Sequence, residues 1–492
     1  MDKNRQLPKD ADIHLVIPPP FFIKMPHIGI AYLAAFLKSK GYKVSVSDLS
    51  LRLHNNAPDD FKRFWHIDFS NFFFLSEIAE KTLRSFEKEF NDFVEELLET
   101  DTQIIGFSVN LISIYVANYM ARKIEEKDPG RLVIFGGPAT FFGFGRNSIH
   151  PPFADIYAIG EGEKTLLNIL KAHQEKKEIS STRGLLLVRD LERYPALPPP
   201  NIGNLDELPF PTFSEFELSE YNQGQEYKPL PLLLSRGCIN SCSYCIDHIM
   251  WPKYRCRSPG HVMDEIRYHT SENKVTAFEM IDLTCSGNLR WLSELCDRII
   301  ESGIKFNWVS YAMIRKEMDL KLLQKMKRAG CHTLIYGVES GSDRVLKKMK
   351  KRFTASDAAR NLRLTHESGI CTNINIIVGF PGETEEDFDL TVDFIRKNGQ
   401  YIDEFTSISA CTLFPESEMG TDMKKYGINL EGDADPMLFS DTNGLNREDR
   451  AERVKQLIEI INDLGLKKAI INRPSMNPVV KEILARQKDA AA

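Results

Sequence analysis

The sequence predicts an α/β protein with two parallel-sheet domains: a doubly wound N-terminal sheet, then a partial (β/α)6 TIM barrel with a small helical C-terminal region. Three observations predict it. Short apolar runs alternate with helical patterns from Asp12 to the helix opening at Glu161, a proline-rich seam interrupts the alternation, and six further strand–helix units begin at Leu230. Alternation of this kind builds parallel sheets with helices on both faces, and ligands of such sheets sit beyond the strand C-termini.

At 492 residues the chain is long enough for several cored domains. Its 42 % apolar content and net charge of −6 describe an ordinary globular composition and do not indicate a generally basic, nucleic-acid-binding surface. No run of about 18 uncharged apolar residues spans a membrane and the N-terminus lacks a signal-peptide core, so a cytoplasmic protein without a transmembrane segment is expected. Nine cysteines, an odd number with three clustered, fit a reducing compartment.

In the N-terminal region, Asp12 to Pro18 reads as a buried strand stopped by Pro18, Pro19 and Pro20. Gly29 to Lys40 has helical periodicity and ends at Gly41, a usual residue after a helix C-terminus. Strands follow at Tyr42 to Val46, Gln103 to Val109, Leu132 to Gly137 and Asp155 to Gly160, with helices at Tyr115 to Lys127 and from Glu161. Residues 1–190 therefore form one domain. The loops at its strand ends carry Pro19, Ser108, Gly136, Gly137, Gly160, Glu161 and Gly162; small residues there let a ligand approach the backbone, although glycine and proline punctuate any α/β fold. An insertion at 51–100 holds Phe61, Phe64, Trp65, Phe69, Phe72, Phe73 and Phe74. These aromatics predict a satellite core over the sheet, with a lid or membrane-surface contact as the alternative.

Residues 191–229 read as an extended linker because Pro195, Pro198 to Pro200, Pro209 and Pro211 exclude a helix. The barrel, 230–410, has strands predicted at Leu230 to Ser235, Ala277 to Asp282, Phe306 to Ser310, Thr333 to Val338, Asn373 to Val378 and Phe405 to Ala410. Residues 411–492, with helices at Arg447 to Leu464 and Pro478 to Arg486, are expected to close the barrel mouth and shape substrate choice.

The chemistry concentrates where the first barrel strand ends, at Cys238, Cys242 and Cys245. Thiolates at this spacing can ligate three irons of a [4Fe–4S] cluster and leave the fourth open; a Cys3His zinc site completed by His248 is the alternative by ligand type. With Tyr244 before the third cysteine, the loop resembles the signature of the radical S-adenosylmethionine (SAM) enzymes. Upstream, the order Pro-Pro, Gly-Phe-Ser, Gly-Gly-Pro and Gly-Glu-Gly-Glu resembles the cobalamin-binding Rossmann domain of the cobalamin-dependent branch of that family, over roughly Asp12 to Asn168. The Asp-x-His-x-x-Gly loop that often supplies cobalt with histidine is missing, and His14 reads as a strand residue.

The resemblance implies three cofactors: the cluster on Cys238, Cys242 and Cys245, SAM chelated to its open iron, and cobalamin on the N-terminal loops. Glu339 and Ser340 match the family stretch that meets SAM's amino group or ribose; Gly379 and Pro381 lie in a Gly-x-Pro-Gly-Glu segment beside the adenine. Arg315 either meets the methionyl carboxylate or lies at the surface, and Lys351 matches a recurrent family lysine. The implied reaction is reductive SAM cleavage followed by methylation of an unactivated carbon through methylcobalamin; the alternative is cyclisation, dehydration or rearrangement without methyl transfer. A flavodoxin or ferredoxin electron donor and a small-molecule or lipid-like substrate complete the expectation. A tRNA methylthiolation role is disfavoured, since no second three-cysteine domain and no basic RNA-binding module is evident.

Overall fold

The computed structural model describes residues 7–62, 65, 83–141, 152–179, 182–188, 200–223, 225–430, 439–468 and 471–472. The chain divides into two compact units, 1–232 and 233–492.

The first unit is built on six strands, β1 Ile13–Ile17, β2 Val44–Asp48, β3 Ile104–Ser108, β4 Leu132–Gly136, β5 Ile156–Ala158 and β6 Leu185–Leu187, in the order β2-β1-β3-β4-β5-β6. The first five run parallel and β6 is antiparallel to β5. Every residue of β1 is buried, as expected for a strand covered on both faces. His14 is one of them, bonded through Nε2 to Ser47 Oγ at 2.9 Å. Phe107, Phe135 and Tyr157 on successive strands pack ring against ring. Arg131 donates to the carbonyls of Leu97, Leu98, Thr100 and Thr102, satisfying the end of the helix Glu87–Leu98.

Part of the aromatic insertion joins this core. Trp65 is buried, donates to Ser50 Oγ at 2.8 Å and meets Phe86 edge-on. The side chain of Phe61 and residues Phe64, Phe69, Phe72, Phe73 and Phe74 lie outside the described residues, as do Pro195, Pro198 and Pro199. From Pro200 on, the proline-rich stretch is strapped to the first unit. Ile202, Leu205, Leu208, Phe213, Phe216 and Tyr221 are buried, Lys38 pairs with Glu215, and the Tyr221 hydroxyl donates to Asp48.

The second unit continues a second parallel sheet, with β10 Ala277–Met280, β11 Asn307–Ala312, β12 Cys331–Glu339, β13 Cys371–Val378 and β14 Glu404–Ala410 paired in sequence order. Its helices, Leu289–Ser302, Leu320–Arg328, Ala355–Glu367 and Glu385–Asn398, fall where the periodicity puts them. This is the partial barrel, an α/β architecture of parallel strands.

The strand expected from Leu230 to Ser235 is shorter than the sequence suggests. β7, Leu230–Leu232, is followed by β8, Ser235–Arg236, which pairs instead with β9, Arg255–Cys256. The carboxylate of Asp282 explains the break: it takes the backbone N–H groups of Leu234 and Ser235, donors that an uninterrupted ladder would use, together with the Ser235 hydroxyl. Beyond the barrel, Ile428–Leu430 and Phe439–Asp441 form a two-stranded ribbon and Arg447–Asp463 a helix. The expected helix at 478–486 lies outside the described residues.

Burial holds His14, His27 and His269 neutral, each pushed down to about 4. The unfolded chain protonates them first, near pH 6.5, so their share of stability is complete above that pH and is lost as pH falls toward 4. Urea midpoints are expected to drop across that window, with up to about 1.4 kcal/mol per pH unit for each histidine. His27→Asn, which keeps a helix-capping side chain, should remove one histidine's share of the slope; an unchanged slope would contradict the assignment.

Candidate functional site

In the first unit the four predicted loops all follow the C-terminal ends of parallel strands. Strand order reverses between β1 and β3, and such a switch point opens a crevice above the sheet. His27, which sequence reasoning missed, spans it. Its Nδ1 accepts from Ile30 N at 3.2 Å, capping the helix Ile28–Ser39, and its Nε2 meets Ser108 Oγ at 3.1 Å. An accepting Nδ1 leaves the proton on Nε2, so the ring donates to the serine. The available signal was its place one residue before an apolar helix.

The other loop residues have uneven roles. Pro19 is buried. Gly137 is required by the protein itself: its φ is +107° and a Cβ would stand 2.6 Å from Val109 O. Gly136, whose added Cβ would meet Ala158 at an ordinary 3.8 Å, leaves more room for a ligand. Gly160 has φ +78° at the end of β5, and Gly162 begins the next helix against Leu33. Glu161 is buried, its Oε2 accepting from Ile202 N at 2.7 Å.

In the second unit the cysteine loop leaves β8 through Gly237, with φ +92° and Lys253 O where a Cβ would be. Ser243, between Cys242 and Cys245, anchors the loop: its N–H donates to Met349 O and its hydroxyl to Lys348 O, both at 3.1 Å. Cys242 is buried and Cys238 and Cys245 are partly buried. Burial pushes all three thiols up from their ordinary values.

The loop's donors fit an iron–sulfur cluster. Asn240 N–H already points at Cys238 Sγ, at 3.4 Å, the kind of hydrogen bond that cluster sulfurs receive. Cys245 Sγ donates to Asp247 at 3.5 Å. His248 Nδ1 is buried without a hydrogen-bond partner among the described residues. Among those residues no three His, Cys, Asp or Glu side chains converge on one metal ion. A cubane spreads its thiolates over separate irons, which the three cysteines of this loop allow.

Facing the loop is the end of β12. A register shift between Gly337 and Glu339 precedes the last pair with β13, Glu339 opposite Ile376, and Glu339 takes φ +67°, a conformation that a non-glycine residue holds only when its surroundings enforce it. Two donors do so. Tyr244 Oη donates to Glu339 Oε1 at 3.0 Å, and Lys351 Nζ to the same oxygen at 3.0 Å. Gly337 makes the room, since a Cβ there would be 2.5 Å from Oε1. Lys351 is buried, yet its value is raised: desolvation opposes the charge and is outweighed by Glu339 and Cys242.

Other predicted residues serve the frame. Ser340 is fully buried, its hydroxyl between Thr391 Oγ1 and the N–H of Ser342. Arg315 donates to the carbonyls of Ser286 and Gly287 at 3.3 and 3.4 Å and pairs with Glu317. Pro381 is buried in the turn after β13. At Gly379 the missing Cβ makes way for Arg450, whose Cγ would lie 2.4 Å from it, and Arg450 Nε donates to Gly379 O at 2.8 Å. Glu383 Oε2 accepts from Gly379 N at 2.6 Å and from Arg453 Nη1 at 2.7 Å, and Gly382 N donates to Asp441 at 2.6 Å. The C-terminal segment thus grips this turn, a contact that the sequence does not reveal.

Residues 232–395 match the model of the Radical SAM superfamily. An uncharacterized methyltransferase, PH0819, of Pyrococcus horikoshii is 25 % identical over 342 residues, covering 69 % of this chain and 72 % of that one. An anaerobic magnesium-protoporphyrin IX monomethyl ester cyclase of Cereibacter sphaeroides is 28 % identical over 308 residues, 60 % of this chain and 50 % of that one, so the match spans half the cyclase's length. Among solved structures, the radical SAM methyltransferase TsrM of Kitasatospora setae, with cobalamin and a [4Fe–4S] cluster bound, aligns at TM-score 0.65 and 17 % identity, covering 95 % of this chain and 92 % of that one. The cobalamin-dependent radical enzyme OxsB, with aqua-cobalamin bound, aligns at TM-score 0.65 and 17 % identity over 92 % of this chain and 67 % of that one.

The cysteine loop and its barrel are therefore a radical SAM domain. The chain as a whole has the fold of the cobalamin-dependent radical SAM enzymes.

The packing at Gly379 is testable. Gly379→Ala is expected to destabilise by about 2–4 kcal/mol through left-handed strain and overpacking. In a double-mutant cycle by urea unfolding, the Arg450→Ala background should recover at least about 1 kcal/mol of that; additive costs would remove the steric explanation.

Proposed function

We propose that the protein reductively cleaves SAM at a [4Fe–4S] cluster and methylates an unactivated carbon with a cobalamin-borne methyl group. The observation that carries this reading is the joining of the three-cysteine loop to the end of β12 through Tyr244 and Glu339. Cys238, Cys242 and Cys245 hold the cluster and leave one iron to SAM. Glu339, with Oε1 occupied by Tyr244 and Lys351, offers Oε2 to SAM's ammonium group. The Gly379 to Glu383 turn, braced by Arg450 and Arg453, lines the adenine, with Pro381 in it; Ser340 steadies Glu339 from behind, and Arg315 attracts the methionyl carboxylate from the end of β11. In the first unit Pro19, Ser108, Gly136, Gly137, Gly160, Glu161 and Gly162 form the rim for cobalamin's nucleotide tail. When bound, the cluster supplies one electron and cobalamin the methyl group; the chain orients both and excludes water.

The substrate is a small or lipid-like molecule, selected by the segment after 411. Exposed Lys347 and Lys348, beside Arg344 paired with Asp387 and Lys350 paired with Glu418, stand near the point where the cysteine loop is anchored, and their charge suits an acidic flavodoxin or ferredoxin as electron donor. Nine free cysteines suit the cytoplasm, and among the described residues no helix is long and apolar enough to cross a membrane. A second reading, cyclisation without methyl transfer, is favoured by the cyclase relative.

Anaerobic reconstitution with iron, sulfide and hydroxocobalamin decides between them. About four irons per chain together with one corrinoid are expected after desalting; iron without corrinoid would favour the cyclase-like reading. Cys242→Ala should abolish 5′-deoxyadenosine formation from SAM, and retained cleavage would refute the cluster assignment.

A further inference from the structure

Lys351 occupies an unusual place for a lysine. The helix Asp343–Lys348 ends with Lys350 in the left-handed conformation, φ +61°, and Lys351 N donates back to Leu346 O at 2.9 Å, turning the side chain inward. Its side chain is only 8 % exposed. Nζ donates to Glu339 Oε1 at 3.0 Å and Gly337 O at 3.4 Å and lies over the rings of Tyr244 and Phe353, at 5.5 and 5.9 Å. Tyr244 is the residue immediately before Cys245, so the ammonium is held against the cysteine loop.

Burying an ammonium is costly unless it is paired. Glu339 alone does not use up this cation, because its Oε1 is shared with Tyr244 and the carboxylate is the group assigned to SAM's own ammonium. A second source of negative charge is adjacent. The ring of Tyr244, over which Nζ lies at 5.5 Å, stands between Cys242 and Cys245 in the chain, so the charge of a cluster on those thiolates falls beside the ammonium.

We propose that Lys351 is the fixed counter-charge of the iron–sulfur cluster, a positioning residue whose buried cation holds the cluster's reduction potential up and makes its one-electron reduction easier. This rests on the cluster assignment made above. Cluster potentials respond to net charge, hydrogen bonds to sulfur and solvent exposure, and a cation screened from water keeps its influence in salt. Reduction adds one electron from the reductant to the cluster; no bond is formed or broken.

The test is a dithionite titration of the reconstituted protein, with mediators and without SAM, followed by electron paramagnetic resonance. At the potential where the wild-type cluster is half reduced, Lys351→Met with full iron content should show a reduced-to-oxidised ratio about tenfold lower, a 59 mV shift for a one-electron couple. Lys351→Arg should restore the wild-type ratio. Should Lys351→Met fail to hold iron, Glu339→Gln decides: it leaves the cation and removes the nearby anion, so the reduced fraction should rise. An unshifted ratio in iron-replete Lys351→Met, or an unchanged or lower reduced fraction in Glu339→Gln, overturns the proposal. A wild-type chain that takes up no iron overturns the cluster assignment instead.

Discussion

The second unit depends on one buried carboxylate. Glu339 must sit in a left-handed backbone conformation at a shifted strand end, and only surrounding contacts can hold it there. Gly337 clears the space, Tyr244 reaches across from the cysteine loop, and Lys351 closes from the helix end. The cysteine loop, 95 positions away, and the helix end, 12 positions away, thereby meet at one oxygen. The cysteine loop is short of regular structure, and this meeting, with Ser243 on Lys348 and Met349, is what orders it.

The first unit solves a different problem. A parallel sheet with its order reversing between β1 and β3 opens a crevice by topology, without any special residue. What residues add is rigidity at the crevice floor: His27 caps one helix while bonding across to Ser108, and Gly137 lets the loops after β3 and β4 pass within van der Waals reach.

Much of this was legible in the sequence because the signals are local. The strand–helix alternation placed the main strands of both sheets, and the cysteine spacing and the Val-Glu-Ser-Gly stretch marked the strand ends where chemistry gathers. What escaped was the identity of side-chain partners. Asp282 reads only as the end of a predicted strand, yet its carboxylate takes the N–H groups of Leu234 and Ser235 just beyond β7. His27 carried no motif, because the cobalt-ligand pattern that draws attention to a histidine is missing from this chain. Gly379 was readable as a glycine needed for close approach, but the approaching group, Arg450, lies 71 positions away and no periodicity connects them.

That last pairing couples two parts of the chain expected to change at different speeds. Segments that shape substrate choice diversify, while turns that hold a common cofactor stay constant. Under the proposed function the Gly379 turn lines the cofactor and the segment after 411 selects the substrate, and the arginine that fills the hollow of the first is carried by the second. A relative that replaces its C-terminal region to accept a new substrate therefore inherits an obligation at Gly379: it must keep a long side chain reaching back into the hollow, or rebuild the turn itself. New specificity in this architecture is constrained from behind the cofactor as well as from the side that meets the substrate.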